Sequence, residues 1–222
     1  MRVCELHELG RISYSAALAL QGELVEKRKQ GLISDQFLLL EHPHVITLGR
    51  NGRAEHLLAG PEALRRAGIE FHRTDRGGDI TYHGPGQVVG YPILDLRAWR
   101  RDVVAYVRGL EQVIIEALAE FGLRAGRVPG RTGVWIEDRK IAAIGVHVSR
   151  WVTSHGFALN VSTDLSYFRY IVPCGLAAPV TSMAEMGAPA SPAQVNRALA
   201  AAFARVFECE MIRPVIPVEQ AR

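Results

Sequence analysis

Apolar residues recur along the chain with two periods, and the changes between them mark out the elements. Ala17, Leu18, Leu20, Leu24 and Val25 fall at helical spacing between Tyr14 and Gln30, with Ser13 placed as N-cap and Gly31 just past the end. A longer stripe (Val103, Val107, Leu110, Val113, Ile114, Ala117, Leu118) predicts a helix that Asp102 caps, that reaches Phe121 and that Gly122 stops. Ser191-Pro-Ala-Gln194 fits a capping box with proline at the first helical position, and that helix runs to about Phe207. Pro61 opens a short helix ending near Gly68. Short apolar or alternating runs predict strands at Val3–Leu9, Phe37–Glu41, Val45–Leu48, Ile69–Arg73, Val88–Leu96, Val134–Ile136, Ile141–Val148, Phe157–Val161 and Glu210–Arg213. Helices early and late with many strands between them predict an α+β fold built on a mixed sheet. With no repeat, low-complexity stretch or long linker, residues 1–222 read as a single domain, loosest between Pro179 and Pro192.

Composition narrows the class. The 222 residues, 48% hydrophobic and 22% charged, can bury one good core and have an enzyme-like balance. No apolar run approaches the roughly 20 residues of a membrane span, and the N-terminus has acidic residues where a signal peptide needs its apolar stretch, so a cytoplasmic location is expected. The net charge of +3 permits an acidic partner without demanding one, and no basic run interleaved with aromatics points to nucleic acid. Cys4, Cys174 and Cys209 are odd in number and far apart, which argues against a disulfide framework or a paired-ligand zinc site. His42-Pro-His44 is too short a pair to specify a metal, so no metal site is expected.

Of 26 cationic residues only Lys27, Lys29 and Lys140 are lysine. Lys27 and Lys29 flank an arginine late in a surface helix; Lys140 stands alone. Lysine can lose its proton when desolvated and arginine does not, so Lys140 is either a chance survivor of an arginine bias or a group kept for proton chemistry. By strict alternation it shares a face with Ala142, Ile144 and Val146, opposite Ile141, Ala143 and Gly145. Both faces are apolar, which predicts a central strand and a partly desolvated amine.

The densest run of directional groups is Arg76-Gly-Gly-Asp-Ile-Thr-Tyr-His-Gly-Pro-Gly-Gln87. It is neither a P-loop nor a dinucleotide turn. It reads either as a tight turn beside a strand or as a loop that wraps a ligand, fed into the core by the run that follows. Cys174, between Pro173 and Gly175, belongs at a bend where its sulfur can point into a cleft, whereas Cys4 and Cys209 read as small buried hydrophobes. A thiol is only a few per cent thiolate at about pH 7, so it needs a nearby positive group or base; Lys140 and His83 are the candidates. In His155-Gly-Phe-Ala-Leu-Asn160, glycine beside an aromatic and a small residue can form a backbone wall for a flat or chain-like ligand.

Taken together these segments closely resemble the octanoyl-(acyl-carrier-protein):protein N-octanoyltransferase, or lipoyl(octanoyl) transferase, family. The matching pieces are Leu38–Pro43 with Thr47–Gly49, the whole Arg76–Gln87 loop with Tyr91-Pro92, Gly133–Trp135, Lys140–Gly145, His155–Asn160, Pro173-Cys-Gly175 and Val180–Ser182, in order over residues 38 to 183. Pro179 departs from the pattern, standing where a smaller or more flexible residue is expected, and nothing beyond Met186 is matched. The resemblance implies a mixed sheet flanked by helices, similar to the catalytic domains of biotin protein ligase and lipoate protein ligase. It implies that Cys174 takes an octanoyl group from octanoyl-acyl carrier protein. A lysine of an apo lipoyl domain, on 2-oxoacid dehydrogenase E2 subunits or glycine cleavage H protein, then receives it in the first step of endogenous protein lipoylation. Lys140 would favour the thiolate and move protons. The implied substrate-binding residues are Arg76, Gly77, Gly78, Asp79, Ile80, Thr81, Tyr82 and His83, then Ala143, Ile144 and Gly145, then Gly156, Phe157 and Ala158. No metal, ATP or other cofactor is implied, because the acyl group arrives activated.

A C8 chain needs an apolar slot, which Tyr82, Ile144 and Phe157 are expected to line; backbone N–H groups near Gly78 or Gly145 are candidate oxyanion donors. Arg97, Arg100 and Arg101 are candidates for a rim that docks the acidic carrier. Three readings compete with this one: an ATP-dependent lipoate or biotin-type ligase on the same scaffold, a lipoyl-domain amidotransferase, and a non-catalytic module that merely holds an acyl protein.

Overall fold

The computed structural model describes residues 2–172 and 179–214. Cys174, with its neighbours at 173–178, lies outside the described residues. The described strands are β1 (Arg2–Arg11), β2 (Asp35–Glu41), β3 (Val45–Leu48), β4 (Glu70–Arg73), β5 (Ile80–His83), β6 (Gln87–Ile93), β7 (Gly126–Val128), β8 (Arg131–Ile136), β9 (Arg139–Ser149), β10 (Val152–Asn160) and β11 (Cys209–Ile212). The helices are α1 (Tyr14–Lys29), α2 (Pro61–Arg66), α3 (Val103–Ala119) and α4 (Pro192–Val206). The caps fall where the sequence puts them: Ser13, Asp102 and Ser191 each accept a backbone N–H, and Ser191 and Gln194 close a capping box.

Eight strands form one sheet in the order β11-β1-β2-β6-β10-β9-β8-β7, and β4-β3-β5 form a second. The large sheet is mixed, with β1 parallel to β2 and β11 and the remaining pairs antiparallel. Alternation sorts its side chains onto two faces. Phe37, Leu39, Val88, Phe157 and Leu159 meet α3 and α4 on one face, where Phe203 stacks on Phe37 at 4.3 Å between ring centroids. Leu38, Leu40, Val89, Tyr91, Ile93 and Ala158 meet Ala17, Leu24 and Val25 of α1 on the other. Helices cover both faces, so the central strands are apolar throughout.

Two details depart from expectation. The strand foreseen to Leu96 stops at Ile93, because the Asp95 carboxylate accepts the Arg97 N–H and turns the chain into a single 3-10 turn over Leu96–Ala98. The glycine-rich loop is shorter than it reads, since its centre is a strand, β5, antiparallel to β3. Cys4 and Cys209, far apart in sequence, lie on neighbouring strands as buried free thiols; the hydrogen bond between them and then burial push the Cys4 thiol up. No described helix is long and apolar enough to cross a membrane.

Candidate active site

The site lies on the α1 face, where β9 and β10 run side by side. Their register sets Gly145 opposite Gly156 and Ala143 opposite Ala158. The face turned towards the site is therefore almost bare of side chains, which leaves a slot. Ile144 and Phe157 pair on the opposite face, where Phe157 is in the main core and Ile144 packs against it. Gly90 makes room for that ring: a Cβ there would lie 2.3 Å from the Phe157 ring. Ile144 and Phe157 thus border the slot while pointing by alternation away from it.

The Arg76–Gly78 loop walls the slot. Gly77 donates its N–H to the Val146 carbonyl at 2.8 Å, docking the loop on the free edge of β9. A Cβ on Gly145 would sit 2.8 Å from the Gly77 carbonyl oxygen, so close approach of two backbones requires glycine there. The Arg76 guanidinium is buried and donates to the Thr47 carbonyl (2.7 Å) and hydroxyl, tying the loop to β3. Gly49, Arg50 and Asn51 donate to the carbonyls of Asp79, Arg76 and Gly78.

Of the expected substrate residues, Arg76, Gly78, Asp79, Ile80, Thr81, His83, Ala143, Ile144, Gly145, Gly156, Phe157 and Ala158 all border this slot. Gly77 stands behind its wall. Tyr82 is the correction. Alternation on β5 turns its ring away into a separate cluster with Ile46, Leu48 and Tyr167, and its hydroxyl meets His44 Nδ1 at 2.8 Å. Two of the arginines expected at a docking rim, Arg97 and Arg100, have partners of their own. The Asp95–Val152 bridge puts Arg97 at the end of β10 away from the slot, where Asp95 grips its guanidinium at 2.7 and 2.9 Å; Arg100 lies over the Trp99 ring.

Behind the slot Tyr14, Tyr91 and His155 gather with His83, a grouping that the sequence does not show. His83 hydrogen-bonds Gln87 Oε1 through Nδ1, and Gln87 donates on to Asn160. Burial, with the charge of His42 second, pushes the His83 imidazole down to about 3. His42 bridges the Ile12 carbonyl and the Tyr91 hydroxyl, and burial pushes it down to about 4. Both rings are neutral at pH 7, so His83 supplies no positive charge to a thiolate. His42 and His44 have separate partners, and no cluster of metal-ligating side chains occurs among the described residues. Asp75 holds His155 Nε2 at 2.8 Å and faces His147 at 3.6 Å.

Lys140 reaches the same side of the sheet by a route that alternation misses. Trp135 pairs with Lys140 and Val134 with Ala142, so β9 carries one extra residue, a bulge at Ile141. Ile141 and Ala142 are consecutive, yet both belong to the core; Lys140 therefore shares its face with Ala143 and not with Ala142 and Ile144. Its ammonium lies 4.8 Å from the centroid of the Trp135 ring. Opposite the bulge, Gly133 has φ 122°, and a Cβ there would meet Lys140 Cε at 3.4 Å. The buried Glu111 carboxylate accepts the Gly133 N–H and pairs with Arg108 and Arg127, pinning this corner to α3. Its sequence signal was a charge on an apolar stripe, four residues after Val107 and three before Ile114.

The half-buried Lys140 side chain lines an open cleft of about 500 Å³ with Asn51, Arg53, His56, Gly130 and Arg131. Gly78, Asp79, Ala143 and Ile144 border both cleft and slot, so one leads into the other. Both flanks of the 173–178 segment are tied to this cleft. Val172 donates to the His56 carbonyl at 2.8 Å, and the Pro179 carbonyl accepts the Lys140 N–H at 2.9 Å. Proline fits at 179 because its carbonyl makes the pairing and no N–H is asked of it.

An apolar slot thus opens into a wide cleft lined by Lys140, all carried on a mixed sheet between helices. The chain belongs to the lipoyl protein ligase A/B catalytic domain family, whose pattern matches residues 13–204. Within it, the chain is 66% identical over 212 residues to an octanoyltransferase of Solibacter usitatus, covering 96% of each chain. It is 52% identical to an octanoyltransferase of Gloeobacter violaceus, covering 93% of this chain and 92% of that one. It is therefore an acyltransferase of the octanoyltransferase family. The fold is shared with a lipoate-protein ligase A bound with ATP (TM-score 0.81, 17% identity, 98% and 90% covered). It is shared at greater distance with the biotin protein ligase of Aquifex aeolicus (TM-score 0.54, 12% identity, 92% and 68% covered).

Proposed function

We propose that residues 1–222 act as one catalytic domain that moves an octanoyl group from octanoyl-acyl carrier protein to a lysine ε-amine on apo lipoyl domains, through a thioester on Cys174. The acceptors are the lipoyl domains of 2-oxoacid dehydrogenase E2 subunits and glycine cleavage H protein. The observation that carries this reading is the continuity of the bare-walled slot with the cleft at Lys140. At about 0.8 kcal/mol per buried CH2, seating an octanoyl chain in the slot contributes several kcal/mol, and its carbonyl end emerges near Lys140.

In the first half-reaction the Cys174 thiolate attacks the carrier thioester carbonyl, and the phosphopantetheine sulfur leaves and takes up a proton. In the second, the acceptor amine attacks the enzyme thioester and returns Cys174 as thiolate. Lys140 favours the thiolate through charge and passes protons, which arginine cannot do. Arg76 through His83, Ala143 through Gly145 and Gly156 through Ala158 hold the acyl chain; of these, Tyr82 and Gly77 act by supporting the wall. A protein of the same fold belongs to an archaeal lipoylation system made of a bi-partite lipoate protein ligase and its E2 lipoyl domain (TM-score 0.79, 18% identity), and an acceptor of that kind suits the open cleft.

Intact-mass spectrometry tests the reading. Mixed with octanoyl-acyl carrier protein, the enzyme should gain one C8 acyl unit on the peptide holding Cys174; Cys174→Ala should gain none and should not turn over. Modification of a lipoyl domain only with ATP and free octanoate would instead assign a ligase.

A further inference from the structure

At the cleft mouth stands a pair that the two half-reactions leave unused. His56 Nδ1 hydrogen-bonds Asp79 Oδ2. The other carboxylate oxygen of Asp79 accepts the Arg53 N–H at 3.1 Å, and its carbonyl accepts the Gly49 N–H at 3.1 Å. Asp79 is thus fixed from three sides on the wall shared by slot and cleft. A carboxylate that accepts from Nδ1–H leaves the lone pair on Nε2. Among the described residues Nε2 has no hydrogen-bond partner. His56 lines the same cleft as Lys140, and its carbonyl holds the N–H of Val172, two residues before Cys174. A base oriented by a carboxylate and open on its other nitrogen to a substrate cleft has the geometry of a general base.

We propose that His56, positioned by Asp79, is the general base of the second half-reaction. The inference rests on the thioester reading above. As the acceptor nitrogen bonds to the acyl carbon and the C–S bond breaks, the electron pair goes to the Cys174 sulfur. The acceptor amine enters neutral, and the one proton its nitrogen sheds on forming the amide goes to His56 Nε2 and then to water. Asp79 steadies the resulting imidazolium. Lys140 remains the partner of the sulfur, so the two side chains divide the work between sulfur and nitrogen.

The test separates the half-reactions in the full-length enzyme. Wild type and His56→Gln are each acylated with octanoyl-acyl carrier protein and followed by intact mass. Each is then chased with an apo lipoyl domain or with hydroxylamine, a weakly basic nucleophile whose adduct is acidic enough to lose its proton to water without a positioned base. Acylation and hydroxylamine discharge should stay within about threefold of wild type in His56→Gln. Transfer to the lipoyl domain should fall about 10²-fold, and free imidazole should restore part of it in His56→Ala. A merely structural effect would slow both chases alike, and that outcome overturns the proposal. So does lipoyl-domain transfer within threefold of wild type in His56→Gln, or a defect confined to acylation. Failure of the wild type to acylate at all would overturn the thioester reading itself, and is recognised before any variant is compared.

Discussion

The two neutral histidines behind the slot make stability depend on pH in a calculable way. Burial holds His42 down to about 4 and His83 to about 3, against an ordinary 6.5. Between those values the unfolded chain binds protons that the folded chain refuses, so stability must rise with pH. Their contribution is fully present above pH 6.5 and is lost progressively as pH falls towards 4 for His42 and 3 for His83. At pH 5 the unfolded imidazoles sit about 1.5 units below their midpoint while the folded ones stay neutral. At 1.36 kcal/mol per unit this removes about 2 kcal/mol per histidine, roughly 4 kcal/mol for the pair, a large share of a typical 5–15 kcal/mol. Burial also lowers His155 and so acts in the same direction. The carboxylates held low, Asp75 and Asp95, lose their contribution only below the ordinary 3.8 and stay out of this window. Urea unfolding at half-unit steps from pH 7.5 to 5 should show the decline. The slope should shrink by about one proton in His42→Asn and again in His83→Asn, whatever either variant costs at pH 7. An unfolding free energy flat between pH 7 and 5, or a slope unchanged in both variants, would refute the account.

Lys140→Arg should keep the fold and its ring contact with Trp135 but lose at least about 10²-fold in turnover, measured with a lipoyl domain as acceptor; near-normal turnover would mean that charge alone suffices. Gly145→Ala puts a methyl group 2.8 Å from a backbone oxygen of the Arg76–Gly78 loop, so it should raise KM for the acyl donor more than it lowers the unfolding midpoint. Phe203→Ala removes the ring stacked on Phe37 and should cost about 3–5 kcal/mol by chemical denaturation. Glu111→Ala leaves the buried Gly133 N–H unsatisfied while Arg108 and Arg127 turn to water, and should cost about 1–3 kcal/mol.

The helices, their caps and most strands were legible because they depend on neighbours in sequence: Ser13, Asp102 and the Ser191–Gln194 box each act within one turn. The glycine loop was legible as a candidate because glycine at that density has a backbone reason, Lys140 because it stands as a lone lysine among arginines, and Ala143–Gly145 and Gly156–Ala158 through the resemblance to the family. What alternation could not show is the bulge at Ile141. One extra residue flips every position before it, and only the pairing of β8 against β9 decides where that residue goes. The same holds for Tyr82, whose ring direction is set by β5 joining β3 and not by the loop it was read in. His56 and Asp79 are 23 residues apart, and nothing local marks either as the other's partner. The amino-acid sequence by itself determined the local elements and the kinds of groups available. Which of them share a face, and so which can act on one substrate, was decided by strand register, a long-range property that one residue's slip reverses.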